Sequence, residues 1–188
     1  VAKVEPGNKV LILGASGGVG RYAVQIAKHL GAEVTGVSGS DQALVRSLGA
    51  DHVIDYTQED FAQNGQQYDV VFDTSGTATF GAAKSSLSAS GRFVSLYLTV
   101  GIVLQMLAGV FRKGPTAHAG VALGKASDMK ELRTLAEAGV VRPVIDSRYP
   151  LVDLVAAHTQ LETAHPHGEV MVTMSAAQAD AAGASMLH

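Results

Sequence analysis

The 188-residue chain contains no cysteine and no tryptophan, and only 16% of its residues are charged. Without cysteine, the chain can form no disulfide, no thiolate metal ligand and no cysteine nucleophile. The formal net charge is −3, and the sequence has no cluster of lysine or arginine. Surfaces that bind nucleic acid carry a basic stripe, so nucleic acid is not expected as a partner.

The sequence also lacks a hydrophobic run long enough to cross a membrane. Its most apolar segment, residues 96–111, is shorter than the roughly 18 to 20 residues that a spanning helix needs, and it contains Gln105. This segment predicts a buried or interfacial helix and no transmembrane span. The start shows no signal peptide, so we expect a cytoplasmic protein, and Val1 in place of an initiator methionine predicts a piece of a longer protein.

What the sequence does have is a glycine-rich turn between a strand pattern and a helix pattern. Residues 10–13 are apolar without a polar break, as in a parallel strand covered on both faces, and residues 21–30 have helical spacing. In such a turn Gly17 would let the backbone approach a pyrophosphate, and Gly20 would let the helix pack close to the strand. The pattern predicts a dinucleotide-binding turn, although Ala15 replaces the first glycine of the usual motif. The alternative is a glycine turn that only packs a helix on a sheet.

The rest of the chain alternates strand and helix patterns, which predicts an α/β fold: a Rossmann-type doubly wound parallel sheet with helices on both faces. We predict strands at 34–38, 52–55, 68–73, 92–96 and 121–124, and helices at 41–48, 82–88 and 129–138. Residues 1–139 form the predicted Rossmann core. Residues 140–174, with a helix at 152–164 and a strand at 170–174, form a C-terminal appendix, and residues 175–188 form a disordered tail.

The residue at the end of the second strand bears on which cofactor is bound. NAD-binding domains carry an aspartate or glutamate there, whereas this chain has Ser38 followed by Gly39 and Ser40, with no negative charge. This favours NADP over NAD. Against it, no arginine follows at once, and Arg46 lies a full turn into the next helix. Ser38 also has an alternative interpretation as an ordinary turn residue.

Two other candidate motifs lack residues that their chemistry requires. The segment 120–125 is one residue short of a phosphate loop and ends in Ala126, where magnesium binding needs serine or threonine. His165 and His167 flank a proline without nearby acids, which indicates a turn rather than a metal site, and no metal is expected.

Several segments together resemble the medium-chain dehydrogenase/reductases, specifically their zinc-independent quinone oxidoreductase branch. They are VLILGASGGVG at 10–20, LVRSLGADHVIDY at 44–56, YDVVFD at 68–73, RPVI at 142–145 and GEV at 168–170. The resemblance covers about residues 5–174. It implies a two-domain, NADPH-dependent reductase of quinones or activated alkenes, whose substrate lies between this domain and an N-terminal barrel-like domain.

The resemblance also implies site residues but no catalytic residue. It places the pyrophosphate turn on Ala15, Ser16, Gly17, Gly18, Val19 and Gly20, the adenosine-phosphate pocket on Ser38, Gly39, Ser40 and Tyr56, and the ribose and nicotinamide segments on Thr74, Ser75, Gly76, Ser95, Leu96 and Tyr97. Residues 123–125 would lie nearby. Tyr56 has an alternative role as an aromatic that packs on the sheet. His167, Gly168 and Glu169 depart from the relatives' basic residue followed by Gly-Lys, which weakens the expected phosphate clamp.

The resulting hypothesis is the NADPH-binding domain of a quinone or enone oxidoreductase, with hydride transfer from NADPH to an electron-poor small molecule. The alternative is a stand-alone, non-catalytic dinucleotide-binding or sensor module. An upstream reading frame of roughly a hundred residues would favour the enzyme. The apolar residues of 96–107 predict an exposed patch through which the chain pairs as a homodimer.

Overall fold

The structure is a computed structural model that describes residues 2–109, 114–120, 124–164 and 168–174. The chain divides into two compact units, the first ending at Val141 and the second beginning at Arg142. Each unit has its own sheet.

In the described part of the first unit, six parallel strands form one sheet in the order β3-β2-β1-β4-β5-β6. The strands are β1 Lys9–Leu13, β2 Glu33–Val37, β3 His52–Ile54, β4 Tyr68–Asp73, β5 Leu87–Ser95 and β6 Thr116–Ala119. The helices are α1 Gly18–His29, α2 Gln42–Ser47, α3 Phe80–Ala83, α4 Val100–Gly109 and α5 Ala126–Glu137.

Alternate residues of the central strands enter two separate cores. Val10 and Ile12 of β1 pack with Val24 of α1 and Val45 of α2 on one face. Leu11 and Leu13 pack with residues of β4, β5 and β6 and with Ile102 of α4 on the other face. Burial on both faces explains why β1 has no polar break, and the predicted doubly wound α/β fold is confirmed.

The sixth strand lies earlier in the chain than the sequence predicted. It is Thr116–Ala119, which pairs with residues 92–95 of β5, and the N–H of Gly120 donates to Ser95 O at 2.8 Å. The prediction of a strand at 121–124 is wrong for Gly124, which has no regular structure, and residues 121–123 lie outside the described residues. Valine and leucine suggested a strand there, but pairing with β5 decides its position.

Two predicted helices differ most from their observed bounds. The predicted helix 82–88 is wrong in its second half: α3 continues into a 3-10 turn, Lys84–Ser86, and β5 begins at Leu87. The predicted helix 96–111 begins only at Val100, where Thr99 accepts a hydrogen bond from the N–H of Ile102 at 3.2 Å through its Oγ1. This contact caps the helix start and fixes the boundary that apolar composition alone did not reveal.

The second unit contains two parallel strands, β7 Ile145–Pro150 and β8 Glu169–Thr173, and the helix α6 Leu154–Thr163. Gln160 of α6 accepts hydrogen bonds from Ser147 Oγ at 2.8 Å and Tyr149 OH at 2.7 Å. Its amide nitrogen donates to Asp146 Oδ2 at 2.8 Å. One side chain therefore ties α6 to β7. The predicted tail 175–188, His165 and His167 lie outside the described residues.

Candidate dinucleotide-binding site

The candidate site lies where the strand order reverses. After β1 the chain passes through α1 to β2 on one side, while β4 pairs with β1 on the other side. The register places Leu13 opposite both Val37 and Asp73, so the carboxyl ends of these three strands share one edge of the sheet. In open α/β sheets, ligands bind in the crevice outside such a switch point.

The glycine turn holds α1 close to the end of β1. Gly14 has a positive φ of +76°, and its carbonyl accepts a hydrogen bond from the N–H of Gly17 at 2.9 Å. A Cβ on Gly20 would lie 2.0 Å from Gly14 O, so no side chain fits at that position. The close packing that the sequence predicted for Gly20 is confirmed.

The start of α1 leaves backbone donors available to an anion. Its first intrahelical bond runs from the N–H of Arg21 to Gly17 O at 3.0 Å, so the N–H groups of Gly18, Val19 and Gly20 precede the helix ladder. The N-cap Gly17 provides no side-chain cap, and the first turn carries no acidic residue. A Cβ on Gly18 would meet no atom within 4 Å. Helix dipole and free donors together favour a negative ligand here.

On the β2 side of the switch point lies a cleft of about 530 Å³. It collects six predicted site residues from loops that are distant in sequence: Ser16, Ser38, Gly39, Ser40, Tyr56 and Ser75. They follow the ends of β1, β2, β3 and β4. The lining described for this cleft includes the carboxylate of Asp60 and no lysine or arginine.

Ser38 is buried at the edge of the cleft, where it joins the loops after β1 and β2 by hydrogen bonds. Its side chain is only 2% exposed, and its hydroxyl donates to Ser16 Oγ at 2.9 Å and accepts from the N–H of Asp41 at 3.4 Å. Its own N–H donates to Ile54 O at 3.0 Å. The groups that a ligand can reach at the end of β2 are therefore the backbone of Gly39 and the exposed Ser40.

Tyr56 forms one wall of this cleft. Its side chain is 67% exposed, and its ring lies so close to Gly39 that a Cβ there would come within 2.7 Å of it. The neighbouring Asp55 has its pKa lowered by hydrogen bonds from the Thr57 side chain, then from the Thr57 N–H and Gln42. Asp55 is therefore an anion at neutral pH, and it ties α2 to the end of β3 through Gln42.

On the β4 side, a fully buried aspartate organises the next loop. Asp73 Oδ1 accepts from the N–H groups of Ser75 at 3.1 Å and Gly76 at 2.9 Å and from Ser75 Oγ at 3.0 Å. Thr74 instead turns toward β1, where its Oγ1 donates to Leu13 O at 2.7 Å. Asp73 is not among the site residues that the sequence predicted. An ionisable residue at the end of a buried strand could have indicated it.

A second cleft, of about 350 Å³, lies beside this loop. It contains three predicted site residues, Gly76, Ser95 and Tyr97, together with apolar side chains that include Phe80, Phe93 and Ile102. The rings of Phe80 and Phe93 meet edge to face with centroids 6.2 Å apart. The side chain of Leu96 is directed elsewhere, since its Cδ2 lies 3.4 Å from the position of a Cβ on Gly120.

Among the residues that the structure describes, no group of three or more histidine, aspartate or glutamate side chains could hold a metal ion. Within these same residues, no helix has the length and apolar character to cross a membrane.

A six-stranded parallel sheet with a glycine turn at its switch point and two clefts at the carboxyl ends of its strands defines a dinucleotide-binding Rossmann domain. A family model described as zinc-binding dehydrogenase matches residues 48–172. The chain belongs to this family of medium-chain dehydrogenase/reductases, as its cofactor-binding domain.

Two curated relatives and one solved structure illustrate the similarity. The chain is 34% identical to the chloroplastic NADPH-dependent alkenal/one oxidoreductase of Arabidopsis thaliana, with 88% of this chain and 40% of that protein covered. It is 33% identical to the mitochondrial NAD(P)H oxidoreductase RTN4IP1 of Mus musculus, with 89% and 48% covered. The quinone oxidoreductase from Coxiella burnetii superposes with a TM-score of 0.76 at 28% identity, with 93% and 55% covered.

The chain thus spans about half the length of the relatives that it matches. Their names support a nicotinamide cofactor for this domain. The names of the two curated relatives refer to the chloroplast and the mitochondrion, so the cytoplasmic location expected from the sequence stays a prediction.

Proposed function

We propose that this chain is the NADPH-binding domain of a zinc-independent reductase of quinones or enones. The observation that carries the proposal is the uncapped start of α1 at the switch point of the sheet, together with two clefts at the carboxyl ends of its strands. A dinucleotide has two nucleoside halves joined by an anion, and this edge of the sheet offers two clefts and one helix start that can bind an anion.

The pyrophosphate would accept hydrogen bonds from the N–H groups of Gly18, Val19 and Gly20. The adenosine half would lie in the cleft on the β2 side, between Ser40 and Tyr56, because the end of the second strand is where such domains bind the adenosine ribose. The nicotinamide half would then extend across the ends of β4 and β5, toward Gly76 and Tyr97. When bound, NADPH supplies the hydride.

The preference for NADPH over NADH rests on the end of β2. The carboxylate that would repel a 2′-phosphate is replaced by Ser38, and the accessible groups are the Gly39 backbone and the Ser40 hydroxyl. Asp60 lines the same cleft and acts against this preference, and the described lining supplies no cation to offset it. We therefore expect the preference to come from hydroxyl and backbone donors.

The acceptor would be held beside apolar side chains. Phe80, Phe93 and Ile102 give the second cleft an apolar wall, which suits a planar, electron-poor quinone or enone. One of the similar proteins is named an alkenal/one oxidoreductase and another a quinone oxidoreductase. Hydride transfer to such an acceptor requires no residue of this domain to act as a strong acid or base.

We further propose that α4 mediates homodimer formation. Its residues Val100, Leu104 and Leu107 are each more than 60% exposed, which supports this proposal. Contiguous apolar surface of this kind marks an interaction site.

Calorimetric titration of the chain with NADPH, NADH and 2′,5′-ADP tests the proposed function. We expect one saturable site for NADPH, and 2′,5′-ADP should compete for it because it carries the adenosine half alone. A folded chain that binds none of the three ligands would refute the proposal.

A further inference from the structure

A fully buried carboxylate lies at the end of β4, among the residues that line the second cleft. Asp73 is 0% exposed, and charged side chains are almost never fully buried unless they are paired. Its Oδ1 accepts from two backbone N–H groups and one hydroxyl of the loop 75–76, while its Oδ2 faces Ser95 Oγ at 3.5 Å. Nothing in the proposed binding scheme requires a charge here.

The hydrogen bonds of Asp73 join two segments that line the second cleft. Ser95 lies directly opposite Asp73 in the register of β4 and β5, and its Oγ accepts from the N–H of Tyr97 at 3.1 Å. The ring of Tyr97 in turn packs on Gly76, where a Cβ would come within 2.8 Å of it. Asp73 therefore fixes Gly76 directly and Tyr97 through Ser95.

This loop needs an external constraint. Gly76 has a φ of +73°, and glycine loses more conformational freedom on ordering than any other residue. The carboxylate accepts from the N–H of Gly76 and of the residue before it, which selects one conformation of the loop. Without that acceptor, the two N–H groups would lose their partner and the wall of the cleft would lose its shape.

We propose that Asp73 is a positioning residue for the nicotinamide half of the site. The inference rests on the proposed function, since it assumes that the cofactor extends from the start of α1 across the ends of β4 and β5. Asp73 is among the residues that line the second cleft, but it is 0% exposed, and it acts through Gly76, Ser95 and Tyr97. Its loss should weaken binding of the whole dinucleotide and spare binding of the adenosine half.

The chain provides a matched control at the opposite edge of the sheet. Asp69 lies at the start of the same strand, where its Oδ1 accepts from Ser88 Oγ at 2.9 Å and its Oδ2 from the N–H of Lys9 at 3.0 Å. The pair Asp69–Ser88 thus repeats the chemistry of Asp73–Ser95 between the same two strands, but outside both clefts. A merely structural role for strand-end aspartates would affect both pairs alike.

The experiment compares the affinities of NADPH and 2′,5′-ADP by calorimetry in four alanine variants. Asp73→Ala should weaken NADPH at least about tenfold and 2′,5′-ADP less than about threefold, because Gly76, Ser95 and Tyr97 all line the second cleft, whereas Ser75 is the one partner of Asp73 that lines the first. Ser95→Ala should give the same selectivity with a smaller loss. Asp69→Ala and Ser88→Ala should leave the ratio of the two affinities unchanged. Asp73→Asn retains an oxygen for the two N–H groups and should restore most NADPH affinity.

Equal losses for the two ligands in the Asp73 and Ser95 variants, or no loss for either, would overturn the inference. If circular dichroism shows that Asp73→Ala does not fold, the ratio of NADPH to 2′,5′-ADP affinity in Ser95→Ala alone tests the inference. A wild-type chain that binds neither ligand would instead refute the proposed function. A wild-type chain that binds both ligands, with variants whose affinities are unchanged, would refute only the role of Asp73.

Discussion

Replacing Gly17 by valine should abolish dinucleotide binding while the domain stays folded. Gly17 has φ −73° and ψ 170°, an extended conformation that valine adopts readily. An added Cβ would meet only Gly14 O, at 3.2 Å, a contact that a shift of a few tenths of an ångström relieves. The change from glycine to a poor N-cap residue costs about 1 kcal/mol, so the melting temperature should fall by about 2 to 4 °C.

The effect on binding should be much larger than the effect on folding. The valine methyl groups would enter the space in front of the N–H groups of Gly18 and Val19, where the pyrophosphate would bind. A hydrogen bond to a charged group contributes about 1.5 to 3 kcal/mol. The loss of two such bonds amounts to about 3 to 6 kcal/mol, which lowers NADPH affinity by at least about a hundredfold.

Calorimetry with NADPH measures this loss, and circular dichroism with thermal melting verifies the fold. Gly109→Val serves as the control, because a Cβ on Gly109 meets no atom within 4 Å and the residue lines neither cleft. We expect the control to bind NADPH like the wild type. A folded Gly17→Val variant that keeps its affinity within threefold would show that the glycine turn is only a packing device.

Three further predictions follow from the two clefts and from α4. NADPH should bind more tightly than NADH. In parallel titrations, Ser40→Asp should weaken the free energy of NADPH binding by about 1 to 3 kcal/mol and change that of NADH little, and equal losses would contradict the prediction. Ser40 is exposed and suits this test better than the buried Ser38. Leu104→Lys together with Leu107→Lys should shift the chain from dimer to monomer in sedimentation velocity, and an unchanged dimer would exclude α4 as the interface. The chain alone should oxidise NADPH only slowly with quinones, because hydride transfer needs an acceptor held about 3 to 3.5 Å away in a site closed to water; rapid, saturable turnover would show that the substrate site is misplaced.

The parts of the fold that depend on local pattern were predictable. The uninterrupted apolar run in β1 and the helical spacing of α1 place the glycine turn correctly, because burial on both faces of a strand leaves no room for a polar residue. The sixth strand was not predictable by the same means. The segment Thr116–Ala119 has two alanines and a histidine, and its strand conformation comes from pairing with β5 and contact with α4, which are tertiary effects.

The candidate site, like the fold, was predictable from the sequence only in part. Its glycines and strand-end serines could be listed from the sequence, but two contacts that shape the clefts could not, because each joins residues far apart in the chain. Tyr56 covers Gly39, and Tyr97 covers Gly76, in each case an aromatic ring at the end of one strand against a glycine at the end of a neighbouring strand. In both pairs a Cβ on the glycine would displace the tyrosine ring, so the glycine permits the close contact with its tyrosine. The alternative interpretation of Tyr56 as a packing aromatic and its implied role in the adenosine pocket are therefore compatible: the ring packs on the loop that it holds in place and exposes its other face to the cleft.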